Sequence, residues 1–147
     1  MQHNEFIDKL DDGRIVEAIS AAEAKSSGEI RVFVSRQRPG TENETIELAK
    51  KAFERLGMTR TRQRNGVLLF FAPMAQRFAV IGDVGIHEKC AVTFWQEIAQ
   101  TMSLLLKQGD FTSAVLAGVR ETGQLLAQNF PGGSDDRNEL PNTVERD

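Results

Sequence analysis

The feature that most constrains the fold is a pair of apolar runs, residues 67–73 and 78–81, joined by the short polar link 74–77. Both runs are rich in β-branched and aromatic residues and are bounded by residues typical of turns, so they predict the two antiparallel strands of a hairpin. The first run does not alternate with polar residues, which is typical of a strand covered on both faces by helices. The rest of the chain must therefore supply helical cover.

The flanking sequence predicts that cover and one further strand. Apolar residues recur at helical spacing within residues 15–22, 46–56, 92–105 and 111–130, whereas residues 29–35 form an apolar, β-branched stretch. A strand–helix–strand connection makes the first two strands parallel, and the short link makes the third antiparallel. The sequence thus predicts an α/β protein, a three-layer α/β/α sandwich with a small mixed sheet that combines a parallel β-α-β unit with an antiparallel hairpin strand.

Polar residues mark where several helices begin. Thr41 followed by Glu44 has the spacing of a capping box, in which each side chain satisfies a backbone N–H at the helix start. Asp110 is placed to cap the last helix in the same way. Asp83 follows a glycine and is placed to cap a turn or short helix at residues 84–88.

Length and composition are those of one globular domain. The 147 residues include 40% hydrophobic and 27% charged side chains, and we expect the domain to span residues 1–131. The segment 132–147 has little apolar surface to bury and is expected to be disordered. The net charge of −3 gives no bias toward nucleic acid or anionic membranes.

Targeting signals and cysteine content favour a cytoplasmic protein. The sequence has no secretory signal pattern, and its longest apolar run is far below the roughly 20 residues of a membrane-spanning helix. Cys90 is the single cysteine, so no internal disulfide is available, which fits a reducing compartment. No membrane segment and no nucleic-acid partner are expected.

The predicted topology collects polar residues at one edge of the sheet. The first two strands begin at the edge where the third ends. Glu29 opens the first strand, Asn65 precedes the second, and Asp83 follows the third, with Glu88 shortly after it. Carboxylate, amide and backbone oxygens are the ligands that hard cations prefer. These four residues therefore form a candidate site for Ca²⁺ or another divalent cation.

Ordinary structural roles compete with that hypothesis. Asp83 as a helix cap needs no metal, and Glu29 has Arg31 and Arg64 as possible partners for an ion pair at the strand edge. The arginines of the preceding loop are either a phosphate-binding group or simply solvated side chains: Arg60, Arg62 and Arg64. The opposite edge of the sheet holds a weaker anion-binding candidate: Ser35, Arg36 and Arg38.

Four stretches, taken together and in order, resemble the TPM domain family, which is named for a thylakoid lumen protein, a photosystem II repair protein and a nematode receptor-accessory protein. They are SSGEIRV at 26–32, RNGVLLFFAP at 64–73, RFAVIGDVGIHEK at 77–89, and the region 94–119 that contains KQGDFTSAVLAGV. The resemblance implies an α/β/α sandwich. The resemblance also relates the chain to plant proteins that have been described as acid phosphatases. Some bacterial members of the family bind calcium through loops at the sheet edge.

Two departures from the commoner family pattern are visible. Many relatives carry a signal peptide and a membrane helix, and this sequence shows neither. Many also have a Gly-Tyr-Gly turn after the third strand, where this chain has Gly-Asp-Val-Gly at 82–85. The chain is therefore similar to the short, soluble branch of the family.

Three functions stay open at this point. The first is a cation-binding module that acts through a protein partner. The second is a metal-assisted phosphomonoesterase, in which the loop arginines orient phosphate. The third is a ligand-free protein-interaction domain. Neither a nucleotide-binding P-loop nor a hydrolase nucleophile elbow occurs in the sequence, which favours the first.

Overall fold

In a computed structural model of the protein, the described residues are 10–90, 92–132 and 143–147, and they form five helices and a four-stranded sheet. The helices are α1 (Asp12–Glu23), α2 (Glu42–Arg55), α3 (Val84–Lys89), α4 (Val92–Lys107) and α5 (Phe111–Asn129). The strands are β1 (Glu29–Val34), β2 (Gly66–Ala72), β3 (Arg77–Gly82) and β4 (Val144–Arg146). No helix in this part of the chain is long and apolar enough to cross a membrane.

The sheet has the order β3-β2-β1-β4. β1 and β2 run parallel with Glu29 opposite Gly66, and β2 and β3 run antiparallel with Val67 opposite Gly82. This register places the beginnings of β1 and β2 beside the end of β3. The mixed sheet confirms the predicted fold class.

Helices cover both faces of the sheet, which explains why β2 is buried along its whole length. On one face Val32 and Leu69 belong to a core that the residues of α1, α4 and α5 complete. On the other face the rings of Phe33 and Phe70 stack with centroids 5.7 Å apart, beside Phe53 of α2. Two apolar layers, one on each side of a single sheet, account for the absence of polar alternation in the sequence of β2.

The predicted helix starts are confirmed. The Thr41 hydroxyl accepts the Glu44 N–H at 3.1 Å, and the Asp110 carboxylate accepts the Ser113 N–H at 3.2 Å. The Glu44 carboxylate reaches back one residue further than a capping box requires, because it accepts the Gly40 N–H at 2.7 Å. Caps of this kind stabilise a helix by about 1 kcal/mol each.

The fourth strand was not expected from the sequence. Val144–Arg146 pairs in parallel with β1, with Val144 opposite Val32 and 9% exposed. The sequence predicts a disordered tail at 132–147, but within that range Val144–Arg146 forms a strand, so the prediction is wrong at these three residues. A single buried valine is too weak a signal in a polar segment, and the open backbone edge of β1 supplies the hydrogen bonds. Residues 1–9 and 133–142 lie outside the described part of the chain.

Candidate functional site

We call the edge where β1 and β2 begin and β3 ends the amino edge, and define it by Glu29, Asn65 and Asp83 with Arg64. Backbone hydrogen bonds join its segments: the Glu29 N–H donates to the Asn65 carbonyl at 3.4 Å, and the Asp83 N–H donates to the Gly66 carbonyl at 3.0 Å. The three residues that the topology predicted to share one edge do share it.

A tight loop before β2 sets the position of Arg64. The Arg64 N–H donates to the Thr61 carbonyl at 3.2 Å, and the Asn65 N–H donates to the Thr61 hydroxyl at 3.2 Å. Arg64 itself lies in the left-handed region, with φ of 52°, a conformation that costs a non-glycine residue roughly 1 kcal/mol or more. The strained turn aims its side chain across the end of β3.

The first turn of α3 packs directly on this loop, and the packing requires a glycine. The Gly85 N–H donates to the Arg64 carbonyl at 2.9 Å. A Cβ atom at Gly85 would lie 2.2 Å from the Gln63 carbonyl oxygen and 2.6 Å from that of Arg64, both backbone atoms. The Gly-Asp-Val-Gly sequence therefore lets the loop and the helix start lie in contact.

Asp83 and Arg64 form a two-pronged ion pair at the amino edge. The Arg64 Nε donates to Asp83 Oδ2 at 2.7 Å, and Nη2 donates to Oδ1 at 2.9 Å. Oδ1 also accepts the Val84 N–H at 2.7 Å, so the predicted helix-capping role is confirmed as well. The Asp83 side chain is 4% exposed and that of Arg64 is 45% exposed. The hydrogen bonds to Asp83 raise the pKa of Arg64.

Asn65 is completely buried, and only one of its two polar side-chain atoms has a hydrogen-bond partner among the described residues. Nδ2 donates to the Ser27 hydroxyl at 3.1 Å. Oδ1 has no hydrogen-bond partner among the described residues. A buried carbonyl oxygen left in this state costs about 1–3 kcal/mol relative to one with a partner. The amino edge thus contains a buried amide oxygen that accepts no hydrogen bond from the described residues.

Glu29 is 2% exposed and lies against a second carboxyl group, that of Glu23 at the end of α1. Burial raises the pKa of Glu23 from 4.5 to about 9; the Ile30 N–H, which donates to Glu23 Oε2 at 2.8 Å, opposes this rise, and the neighbouring Glu29 adds to it. At neutral pH Glu23 is therefore protonated and shares a hydrogen bond with Glu29.

The other predicted site residues lie further out. Glu88 is exposed on α3, five residues after Asp83, which corresponds to about 140° around the helix axis. Arg60 and Arg62 are exposed on the loop before β2. Within the described ranges, no group of three or more His, Cys, Asp or Glu side chains is placed to hold a metal. Any cation at this edge would need amide and carbonyl oxygens beside its carboxylates.

Sequence reasoning missed two partners of the predicted residues. The sequence pattern does not single out Glu23, although an acidic residue at a helix C-terminus is unfavourable for the helix dipole and so signals another role. Arg31 was considered as a partner of Glu29, but the structure pairs it with Glu145 of β4 at 2.5 Å. A lone charge inside an otherwise apolar strand was the available signal for that pair.

These features define the class of protein: an α/β/α domain whose mixed sheet gathers a capping aspartate, a buried asparagine and a carboxyl pair at one edge. A family model described as the TPM domain, under the name TPM_phosphatase, matches residues 1–125. The chain belongs to the TPM domain family.

Two solved structures are similar to it. The BA42 protein of the psychrophilic bacterium Bizionia argentinensis is 35% identical over 94% of this chain and 95% of its own, with a TM-score of 0.85. The N-terminal domain of the cg2496 protein of Corynebacterium glutamicum is 16% identical over 84% of this chain and 76% of its own, with a TM-score of 0.56, and so shows the fold alone. No curated protein matches the sequence.

Proposed function

We propose that the chain is a divalent-cation-binding module that holds Ca²⁺ at the amino edge. The observation that carries this proposal is Asn65 Oδ1, an oxygen in a fully buried side chain with no hydrogen-bond partner among the described residues. Amide oxygens are regular Ca²⁺ ligands, and a bound cation would remove the cost of leaving this one unsatisfied. Asp83 supplies a carboxylate at the same edge.

The Arg64 guanidinium occupies the position of a cation against Asp83. Its side chain is 45% exposed, so it has room to turn outward into water, whereas the carboxylate, at 4% exposure, stays in place. A divalent ion would replace the guanidinium and recruit Asn65 and the carboxylate of Glu29. Glu88 would add negative charge on the outer side of α3. Backbone carbonyls and water would complete the six to eight ligands that Ca²⁺ takes.

The test is a Ca²⁺ titration followed by backbone amide NMR. We expect saturable shifts at residues 64–66 and 83–85 in the unmodified chain. Asp83→Asn keeps a capping oxygen but removes the charge, and should weaken binding at least tenfold. Asp110→Asn is the matched control, because the Asp110 carboxylate also accepts a backbone N–H at a helix start and is not part of the amino edge.

Two outcomes would refute the proposal. One is the absence of any saturable shift at the amino edge in millimolar Ca²⁺. The other is an equal loss of binding in the Asp83 and Asp110 variants, because that would attribute the effect to helix capping rather than to a cation ligand.

A metal-assisted phosphomonoesterase is the second candidate. The name of the matching family model refers to a phosphatase, and Arg60 and Arg62 are exposed on the loop that leads to Asn65. A cation at the amino edge would stabilise charge on the phosphoryl group while the arginines orient it. Turnover of a phosphomonoester by the purified chain should disappear in Asp83→Asn and persist in Asp110→Asn. Turnover that survives in the Asp83 variant would refute this function.

A further inference from the structure

We propose that the outer edge of β1 is an acceptor groove for an extended acidic segment of a partner protein, and that residues 143–147 of this chain are its intramolecular occupant. The groove, here called the β1 groove, is defined by Arg31, Val32, Val34, Ser35 and Arg36. It is separate from the amino edge, and the inference does not rest on the proposed cation.

Backbone pairing holds the occupant in one register. Val144 lies opposite Val32, and Arg146 lies opposite Val34. The Asp147 N–H continues the ladder by donating to the Val34 carbonyl at 3.3 Å. Addition of a strand to an open sheet edge is a recurrent mode of peptide recognition, in which the backbone supplies affinity and side-chain contacts supply specificity.

Two side-chain contacts set the chemistry of the groove. Arg31 is 4% exposed, and its guanidinium donates to Glu145, whose side chain is 33% exposed. Val144 is 9% exposed and joins the same apolar core as Val32. A buried cation that is fixed in the sheet requires a negative partner, because an unpaired buried charge is costly. The groove therefore selects a segment with an apolar residue followed by an acidic one.

The groove ends in a second position for an anion. The Ser35 hydroxyl and the Arg36 N–H both donate to the Asp147 carboxylate, the latter at 2.7 Å. Ser35 is buried, and its oxygen also accepts the Gln37 N–H at 3.1 Å, so its hydroxyl proton is aimed at the anion. This position lies at the carboxyl ends of the parallel strands, where α/β sheets commonly bind anionic groups.

The occupant is a template for the partner. It presents an apolar residue, an acidic residue, one unrestricted position and a second acidic residue, as Val144, Glu145, Arg146 and Asp147 do. Arg146 is unrestricted because its ion pair goes outward to Asp12 of α1, and both side chains are at least one third exposed. Five residues held through one buried valine form a small contact. We therefore expect a partner segment with the same pattern to displace them.

The experiment follows backbone amides of the full chain while an acetylated and amidated peptide, TVERD, is added. Val144→Asp releases the internal segment, because it places a charge at a buried position. In this variant we expect saturable shifts at residues 31–36 in millimolar peptide. In the unmodified chain the same shifts should need at least tenfold more peptide, because a tethered segment competes at an effective concentration in the millimolar range.

Matched controls separate recognition from nonspecific effects. The peptide TDERD keeps length and adds negative charge but lacks the apolar residue, and should not bind. Leu104→Asp introduces the same charge at a side chain that is 56% exposed on α4, and should behave like the unmodified chain. If Val144→Asp does not fold, Glu145→Gln combined with Asp147→Asn weakens the segment without touching the core, and a smaller gain in peptide binding is expected.

Three results would overturn the proposal. The first is equal response to TVERD and TDERD. The second is a released segment, seen as lost pairing at residues 144–146, together with no peptide binding. The third is a chain that forms a concentration-dependent dimer through the groove and ignores the peptide, because the occupant would then be a second copy.

Discussion

Two of the ion pairs among the described residues, Asp83–Arg64 and Arg31–Glu145, have opposite patterns of exposure. In the Asp83–Arg64 pair the carboxylate is 4% exposed and the guanidinium 45%, whereas in the Arg31–Glu145 pair the guanidinium is 4% exposed and the carboxylate 33%. The buried member is the one that the fold fixes, and the exposed member is the one that can leave. The fixed charge is negative at the amino edge, as the proposed cation site requires, and positive at the β1 groove, as the proposed acidic segment requires.

The difference also explains what each pair contributes to stability. An exposed ion pair stabilises a protein by at most about 1 kcal/mol. Removing the exposed member of a half-buried pair destabilises the protein more strongly, because it takes away the partner of a buried charge. The same asymmetry therefore governs the cost of breaking either pair.

The largest loss of stability is expected from a substitution that disrupts the amino edge alone. Gly85→Ala places a Cβ atom 2.2 Å from the Gln63 carbonyl oxygen, so the loop and α3 must separate. We expect a loss of about 3 kcal/mol in the free energy of unfolding, measured by urea denaturation. Gly13→Ala is the control, since a Cβ there meets only Asp11 Oδ1 at 3.6 Å within a helix, and should be neutral or stabilising. Similar destabilisation by both variants would contradict this explanation.

A smaller loss of stability is expected from substitutions in the β1 groove. Glu145→Gln removes the ion-pair partner of the buried Arg31 guanidinium and should cost about 2 kcal/mol. Arg31→Met removes that charge and keeps an apolar stem, so it should cost less than the glutamine variant. Glu54→Gln, at an exposed glutamate of α2, should change stability by less than about 0.5 kcal/mol. The comparison of stability losses between Glu145→Gln and Arg31→Met is decisive. If Arg31→Met destabilises the chain more, the buried cation does not govern the groove.

The sequence predicted the parts of this structure that depend on local signals. Periodicity located the helices and the first three strands, and Thr41, Asp83 and Asp110 cap the helices that they were predicted to cap. The chain direction of three strands was sufficient to place Glu29, Asn65 and Asp83 at one edge.

The missed features depend on contacts between residues distant in the sequence or on backbone geometry that residue type does not reveal. β4 has one buried valine and lies next to β1 through a pairing that spans more than 100 residues. The Glu23–Glu29 carboxyl pair requires the end of α1 to turn back over β1. The left-handed conformation of Arg64, which sends its side chain to Asp83, occurs at a residue that ordinarily avoids it.

The carboxyl pair predicts a pH dependence. The pKa of Glu23 is about 9 in the folded chain and 4.5 as its ordinary value, so between these values the folded state holds a proton that the unfolded state has lost. Stability should therefore fall as the pH rises from about 5 to 9. Unfolding midpoints measured across this range should show the slope, and Glu23→Gln should flatten it.

The control for the pH experiment is Glu17→Gln, at an exposed position of the same helix. This variant should keep the slope of the unmodified chain. A slope that persists in Glu23→Gln would place the responsible group elsewhere and would contradict a proton shared between Glu23 and Glu29.

The central claim is that the fixed, buried charge decides which ligand an edge accepts, and calcium binding by Arg64→Gln tests it most directly. This variant removes the guanidinium that competes for Asp83 and leaves the carboxylate and its Val84 hydrogen bond in place. Titrated by amide NMR or calorimetry, it should bind Ca²⁺ at least fivefold more tightly than the unmodified chain, while Asp83→Asn binds more weakly. Unchanged or weaker Ca²⁺ binding by Arg64→Gln would contradict the claim.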